Sequence, residues 1–208
     1  MSEKPPSLLE IENFIPRSYA NILEDICKSP EFLWQYNAST NNQTAPQIMN
    51  KDENSYESDQ FVHALYQEGA KRSPYFDVVF PFFYFLEEKT GIVLHAIERI
   101  KANMLMKRQG NQCGKDDGKD ASADAYNTPH IDIPTPKHKS LLYYVKDCDG
   151  DTFIFNETYY DKRKLTLRKR ITPKKGKAVI FDSNIWHASS NPRENMNRIV
   201  LNFIFNIK

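Results

Sequence analysis

The chain of 208 residues sets 28 lysines and arginines against 27 aspartates and glutamates, a formal net charge of +1, and its length suits one compact domain. With 40% hydrophobic and 26% charged residues it has the composition of an ordinary folded protein, and so even a balance excludes a global electrostatic drive toward nucleic acid or acidic membrane. Aromatics reach 12%, with 13 phenylalanines and 11 tyrosines, which favours a β-rich interior.

Cys27, Cys113 and Cys148 are odd in number, widely spaced and without a C-x-x-C pair; that usage suits a reducing compartment rather than a disulfide framework. The opening MSEKPPSLLEIENF carries acidic residues and no apolar signal core. The longest apolar run, Val78 to Leu86, is too short to span a bilayer. The chain therefore reads as cytoplasmic, with no membrane partner.

Residues 7–15 (SLLEIENFI) alternate in character and predict a strand. A helix follows: Pro16 stands near its start, and Tyr19, Ile22, Leu23 and Ile26 recur at helical spacing. FLWQYNAS (32–39) and FVHALYQ (61–67) read as strands on either side of an Asn/Gln-rich loop. A second helical pattern runs through Tyr75, Val78, Val79, Phe82, Phe83 and Leu86, started by Ser73-Pro74, stopped by Gly91 and divided at Pro81. It is apolar enough to pack against the back of a sheet.

Val93 to Arg108 reads as one long strand or two in sequence. The next stretch, 109–129, is polar and small without periodicity; structureless loops of that length commonly serve as lids or binding loops. The alternative is an insertion with no fixed structure. Short β segments then follow around 130–134, 140–146, 152–157, 165–171, 177–182, 184–190 and 198–206. Turn chemistry separates several of them, at Asp149-Gly150, Thr172-Pro173 with Gly176, Asp182-Ser183-Asn184 and Asn191-Pro192. Helices first and many short strands after predict an α+β, mainly β fold: a jelly-roll barrel backed by helices.

The strongest chemical signal is His130-Ile131-Asp132. In a strand, residues two apart share a face, so the imidazole and carboxylate converge. A third candidate ligand, His187, lies in NIWHASS after the strand-like KAVIFD. Two imidazoles and one carboxylate leave the remaining positions of an octahedral metal open, as in non-haem Fe(II) oxygenases and unlike closed structural zinc. An isolated H-x-D is common by chance, and its bland reading is an ordinary surface or core histidine. Eleven residues beyond His187, Arg198 opens the apolar strand RIVLNFIF. Burying an arginine there is costly unless it meets an anion, and its planar fork matches a carboxylate. The alternative is a solvent-facing or structurally paired arginine.

The order of H-x-D, YYVKDCDGDTFIFNE, TPKKGKAVIFDSNIWHASSNP and a closing arginine strand resembles the prolyl 4-hydroxylase-like 2-oxoglutarate/Fe(II) oxygenases. More narrowly it is similar to the small stand-alone members known in bacteria and phages. The resemblance covers residues 93–206 well and the N-terminal half only loosely. It implies one oxygenase domain over 1–208, with 1–92 as support and 93–208 as a double-stranded β-helix. The family's iron ligands fall on His130, Asp132 and His187, and its co-substrate arginine on Arg198, where collagen-type prolyl hydroxylases often carry lysine. A tyrosine that helps hold the distal carboxylate falls on Tyr144, with Tyr143 as the one-residue alternative on the opposite face. Asn103 and Asn202 resemble polar co-substrate contacts; their bland reading is ordinary strand polarity.

The implied cofactor set is Fe(II), 2-oxoglutarate and O₂, with ascorbate as an optional addition. The implied reaction hydroxylates a C–H bond and releases succinate and CO₂. The substrate is a peptide, with peptidyl proline favoured, or a small molecule. Two other readings stand beside it: the same chemistry on nucleic acid, and a non-catalytic cupin-like module that merely binds metal. Nine basic residues between Lys162 and Lys177 keep the nucleic-acid version open, although no aromatic residue interleaves them. The blander account is a charged edge that resists strand pairing. His63, His95 and His138 lack partners at metal-ligand spacing and read as structural or surface residues, with His138 near enough to Asp132 to approach a site mouth. Trp34 and Trp186 read as core, Trp186 facing away from the metal by alternation. Oligomeric state is not encoded in any motif.

Overall fold

A computed structural model describes residues 8–40, 54–107, 124–161 and 163–208. In chain order its elements are β1 (Leu8–Ile11), α1 (Arg17–Lys28), β2 (Gln35–Asn37), β3 (Ser55–Tyr56), β4 (Gln60–Gln67), β5 (Ala70–Lys71), α2 (Phe76–Val79), α3 (Phe82–Thr90) and β6 (Leu94–Met106). There follow β7 (Tyr126–Asn127), β8 (His138–Tyr144), β9 (Thr152–Thr158), β10 (Leu167–Ile171), β11 (Ala178–Asp182), β12 (Ile185–Ser189) and β13 (Asn197–Ile207). The large sheet runs β1-β11-β8-β13-β6-β4-β2, with β5 beside β4; the small one runs β10-β9-β12, and β3 pairs with β7. Two antiparallel sheets face each other with helices behind the larger one: the expected helix-backed jelly roll.

The inner strands of the large sheet are apolar on both faces, and alternation decides where each side chain goes. Leu141, Tyr143, Ala178, Ile180, Leu201, Phe203 and Phe205 pack outward with Leu23, Phe82, Phe83 and Leu86 of the helices. Their neighbours Leu142, Tyr144, Val179, Phe181 and Val200 point inward with Ile154, Ile171 and Ile185 of the small sheet. Phe82 stacks on Phe203, its ring centroid 4.9 Å from both Phe203 and Tyr143, 5.6 Å from Phe14 and 6.1 Å from Tyr19. Such rings bury large apolar areas and lock the helices to the sheet.

Pro81 divides the second helical stretch into α2 and α3 as the sequence implies, and Gly91 ends α3 at φ 70° in the left-handed region. Several boundaries differ from expectation. The first strand stops at Ile11 because the chain turns through Asn13 at φ 49° and buries Phe14 and Ile15 under the helices. In α1 the buried stripe is Ala20, Leu23 and Cys27, whereas Ile22 is exposed. No strand forms over 130–134: His130 makes one isolated bridge, and the following residues bend away. Within the predicted loop 109–129, residues 126–127 form β7, parallel to β3; the lid expectation itself falls mostly on residues outside those described.

The basic stretch is largely consumed within the molecule. Arg163 pairs with Asp161, Lys169 with Glu10, Arg170 with Asp124 and Asp151, Lys174 with Asp147, Lys175 with Glu24, and Lys177 with Glu10 and Glu12. These pairs fasten the strand and turn around β10 and β11 to β1, α1 and their neighbours. Cys27 and Cys148 are free and buried; Cys113 lies outside the described residues. Among the described residues, no helix is long and apolar enough to cross a membrane.

Candidate metal centre

His130 and His187 sit directly across from each other. Their backbones exchange two hydrogen bonds, each 2.9 Å, so both imidazoles project from one face of an antiparallel pair and their rings stand 4.4 Å apart. The β12–β9 register slips between Ile185 and His187, a local irregularity of the kind that re-aims a side chain beside a site. Asp132 arrives by a different route from the strand alternation expected of H-x-D. Its backbone N–H, with that of Ile133, donates to the Ser183 carbonyl at 3.0 and 3.2 Å. That anchor swings the carboxylate back toward His187, whose Nε2 lies 3.7 Å from Asp132 Oδ2.

The three ligand atoms all lie within 4.8 Å of one another, the one such group of three among the described residues. The donor chemistry fits a metal. His187 Nδ1 donates to the Ile185 carbonyl at 3.0 Å, leaving the Nε2 lone pair toward Asp132. The buried Nδ1 of His130 has no hydrogen-bond partner. Burial first, then the field of His187, holds the His130 imidazole in its neutral form, against the pull of Asp132. Burial pushes the Asp132 carboxyl up, but His187, Arg99, His130 and the Ser140 hydroxyl outweigh it and keep the group ionised. Neutral imidazoles and an ionised carboxylate are the ligating forms.

Asp132 is braced on both oxygens. Ser140 Oγ donates to Oδ2 at 2.6 Å, while Arg99 reaches Oδ1 at 3.2 Å and Asn202 Nδ2 at 3.5 Å. Ser140 also meets Ser183 Oγ at 2.9 Å. The sequence marks Ser183 only as part of a turn and gives no sign of Arg99 or Ser140, although a serine inside the strand HKSLLYY must find a partner when buried.

Behind the triad, a narrow cavity is lined by His130, His187, Lys101, Asn103, Thr152, Arg198 and Asn202, among others. Arg198 is 4% exposed. Its Nε donates to the Gly150 carbonyl at 2.8 Å and an Nη to Thr152 Oγ1 at 2.7 Å. Among the described residues no carboxylate pairs with it. Tyr144 is wholly buried on the inward face, its hydroxyl 2.8 Å from Thr152 Oγ1 and its ring 5.7 Å from the guanidinium carbon. Tyr143 points the other way, against Phe82, with a buried hydroxyl that has no partner. The side-chain oxygens of Asn103 and Asn202 are likewise buried without a partner. Lys101 lines the same cavity; burial, with Arg99 adding to it, pushes its ammonium down to about 8 against the opposing field of Asp132.

The remaining sequence candidates lie elsewhere. Both nitrogens of His63 are taken, by the Leu33 carbonyl and Ser73 Oγ, each at 2.8 Å; His63 borders an open groove of about 800 Å³ in which no metal-ligand group converges. His95 is exposed. His138 braces the surface between Thr135 and Glu98. Trp186 packs with Tyr126, Ile131, Phe153 and Phe155 on the outer side of the small sheet, and its indole N–H donates to Thr158. Trp34 packs against the helix-side core.

No family model matches the sequence, and no curated protein matches it either. Solved structures do match the fold. A 2OG-Fe(II) oxygenase family oxidoreductase from Burkholderia pseudomallei superposes with a TM-score of 0.62 at 11% identity, over 98% of this chain and 86% of that one. This chain has the 2OG-Fe(II) oxygenase fold. The non-heme alpha ketoglutarate dependent epimerase SnoN from nogalamycin biosynthesis gives a TM-score of 0.60 at 10% identity, covering 97% and 79% of the two chains. A Pseudomonas putida prolyl-4-hydroxylase gives 0.51 at 12% identity, covering 97% and 93%. An oxygenase fold of this kind thus spans nearly the whole chain, its N-terminal region included, where the sequence resemblance is loose.

Proposed function

We propose that this protein is an Fe(II)- and 2-oxoglutarate-dependent oxygenase that hydroxylates a C–H bond of its substrate. The observation that carries the reading is that His130 and His187 of the three-residue group share one cavity with a buried Arg198 that no carboxylate among the described residues pairs with. His130, Asp132 and His187 would hold the metal, with Arg198 holding the distal carboxylate of the co-substrate. Iron with 2-oxoglutarate supplies O₂ activation, coupled to oxidative decarboxylation that yields succinate and CO₂.

The protein's own groups then have distinct tasks. Ser140 and Asn202 orient the Asp132 carboxylate, and the Ile185 carbonyl fixes the tautomer of His187. Tyr144 and Thr152 form the wall on which the Arg198 fork is held flat. Leu142 and Val200, which also line the cavity, limit water around the reacting centre. Asn103 and Asn202 keep free acceptors toward the cavity for polar atoms of the bound acid.

Within this reaction class, peptidyl proline is the target we favour, on the resemblance of residues 93–206 to the prolyl 4-hydroxylase-like oxygenases; Arg198, where collagen-type enzymes often carry lysine, does not itself point to proline. A small-molecule substrate is the second reading. The engagement of the basic stretch in internal ion pairs speaks against a nucleic-acid substrate. The decisive experiment is anaerobic addition of Fe(II) and then 2-oxoglutarate, watching for the visible metal-to-ligand charge-transfer band. Folded protein that gives no band refutes the assignment, and a band without any succinate formation in air points to a binding module instead.

A further inference from the structure

Lys101 is the second cation of the cavity that holds Arg198. Alternation along β6 turns Lys101, Asn103 and Leu105 inward together, and all three line that cavity. Among the described residues no hydrogen bond or ion pair reaches the Lys101 ammonium. It feels the field of Asp132, yet both oxygens of that carboxylate are already engaged, by Ser140 on one side and by Arg99 and Asn202 on the other. Lys101 is partly buried, less so than Arg198 at 4% exposed, and an unpaired ammonium on the wall of a cavity is complemented by an anion bound there.

The two cations are spaced, not clustered. In the β6–β13 ladder Lys101 faces Asn202, whereas Leu105 faces Arg198. Four residues of strand separate these levels, about 13 Å between backbone positions, and both side chains line the one cavity. The complement of two such cations is an unbranched acid with a carboxylate at each end. We propose that Lys101 is a second anchor for the co-substrate: it pairs with the carboxylate of the keto-acid end, while Arg198 takes the far carboxylate. This rests on the oxygenase reading above. Charge at both ends would hold the acid along the cavity, and its keto group would then set which end meets the ligand triad.

The test pairs two variants with three acids on the full chain loaded with Mn(II) under argon, by titration calorimetry or by competition against 2-oxoglutarate. Levulinate is 2-oxoglutarate with the keto-acid carboxylate replaced by methyl; 2-oxobutanoate keeps the keto-acid end and lacks the far carboxylate. Lys101→Met should weaken 2-oxoglutarate and 2-oxobutanoate by about tenfold or more, the loss expected for one charge-assisted hydrogen bond, and spare levulinate. Arg198→Met should show the reverse selectivity, weakening 2-oxoglutarate and levulinate. Lys101→Arg should recover part of the loss, and Lys101→Gln replaces Lys101→Met if that variant does not fold. Equal weakening of levulinate and 2-oxobutanoate by Lys101→Met would overturn the assignment. So would unchanged binding of all three, which would leave the lysine to a carboxylate of the primary substrate. Wild-type protein that binds none of the acids would remove the oxygenase reading itself, a result distinct from either.

Discussion

Gly150 stands where no side chain fits. A Cβ there would lie 2.6 Å from the Ser190 carbonyl oxygen, 2.9 Å from the Pro192 nitrogen and 3.1 Å from Arg198 Cδ. Two of these contacts are backbone, so relief must come by moving the segment whose carbonyl holds Arg198. Gly150→Ala should therefore destabilise the fold by about 1–3 kcal/mol and weaken 2-oxoglutarate binding at the same time, read by thermal unfolding and calorimetry. The paired tyrosines separate in the same way. Tyr143→Phe removes a buried hydroxyl that has no partner, so its stability should be unchanged or slightly higher. Tyr144→Phe removes a 2.8 Å hydrogen bond to Thr152, about 1 kcal/mol, and should also raise the Kd for 2-oxoglutarate. Equal effects of the two substitutions would contradict the division of faces. At the centre itself, Asp132→Ala or His187→Ala should abolish Fe(II)-dependent succinate formation, whereas Arg198→Ala should chiefly weaken 2-oxoglutarate binding.

At the scale of elements, β1 and α1 are fastened to the rest through two carboxylates. Burial pushes Glu10 up, but Lys169 and Lys177 outweigh it and hold the group below its ordinary 4.5. Glu24 is likewise pushed up by burial and held lower by Lys175 and Lys28. A carboxylate depressed in the folded state stabilises fully above its unfolded value and ceases to do so as pH falls through the folded value. The N-terminal strand and helix should therefore lose amide protection first as pH drops below about 4.5, ahead of β13. Hydrogen exchange, corrected for the intrinsic pH dependence, would show this. Simultaneous loss of protection in β1, α1 and β13 would mean that these ion pairs carry no local stability, as is common for exposed pairs.

For the whole molecule, the candidate metal centre is expected to be a passenger of the fold rather than its support. The helix-side and inter-sheet clusters are apolar and complete without His130, Asp132 or His187. Chelator-treated protein should keep its near-ultraviolet circular dichroism and cooperative unfolding. Adding Mn(II) and 2-oxoglutarate should raise the melting temperature by mass action, about 2.7 kcal/mol at a hundredfold excess over Kd. A metal-free chain that loses its tertiary signal would place the centre among the structural metal sites.

The sequence by itself determined the fold class, the division of α2 from α3 and which three residues, His130, Asp132 and His187, converge. Each rests on local chemistry: period-2 apolar strands, a proline that removes a backbone donor, and residue types whose lone pairs suit a metal. It read the route of Asp132 incorrectly, because the anchor is the Ser183 carbonyl, fifty-one positions away and invisible to strand alternation. It also passed over Arg99, Lys101 and Ser140, ordinary polar residues until β6, β8 and β13 lie side by side. Only the tertiary structure decided between Tyr143 and Tyr144, since alternation says that neighbours face apart but not which face closes over Arg198. The same holds for the basic stretch: its count of charges is local, whereas their partners on β1 and α1 come from the opposite end of the chain. A short-range pattern names the groups; long-range packing alone decides what each of them meets.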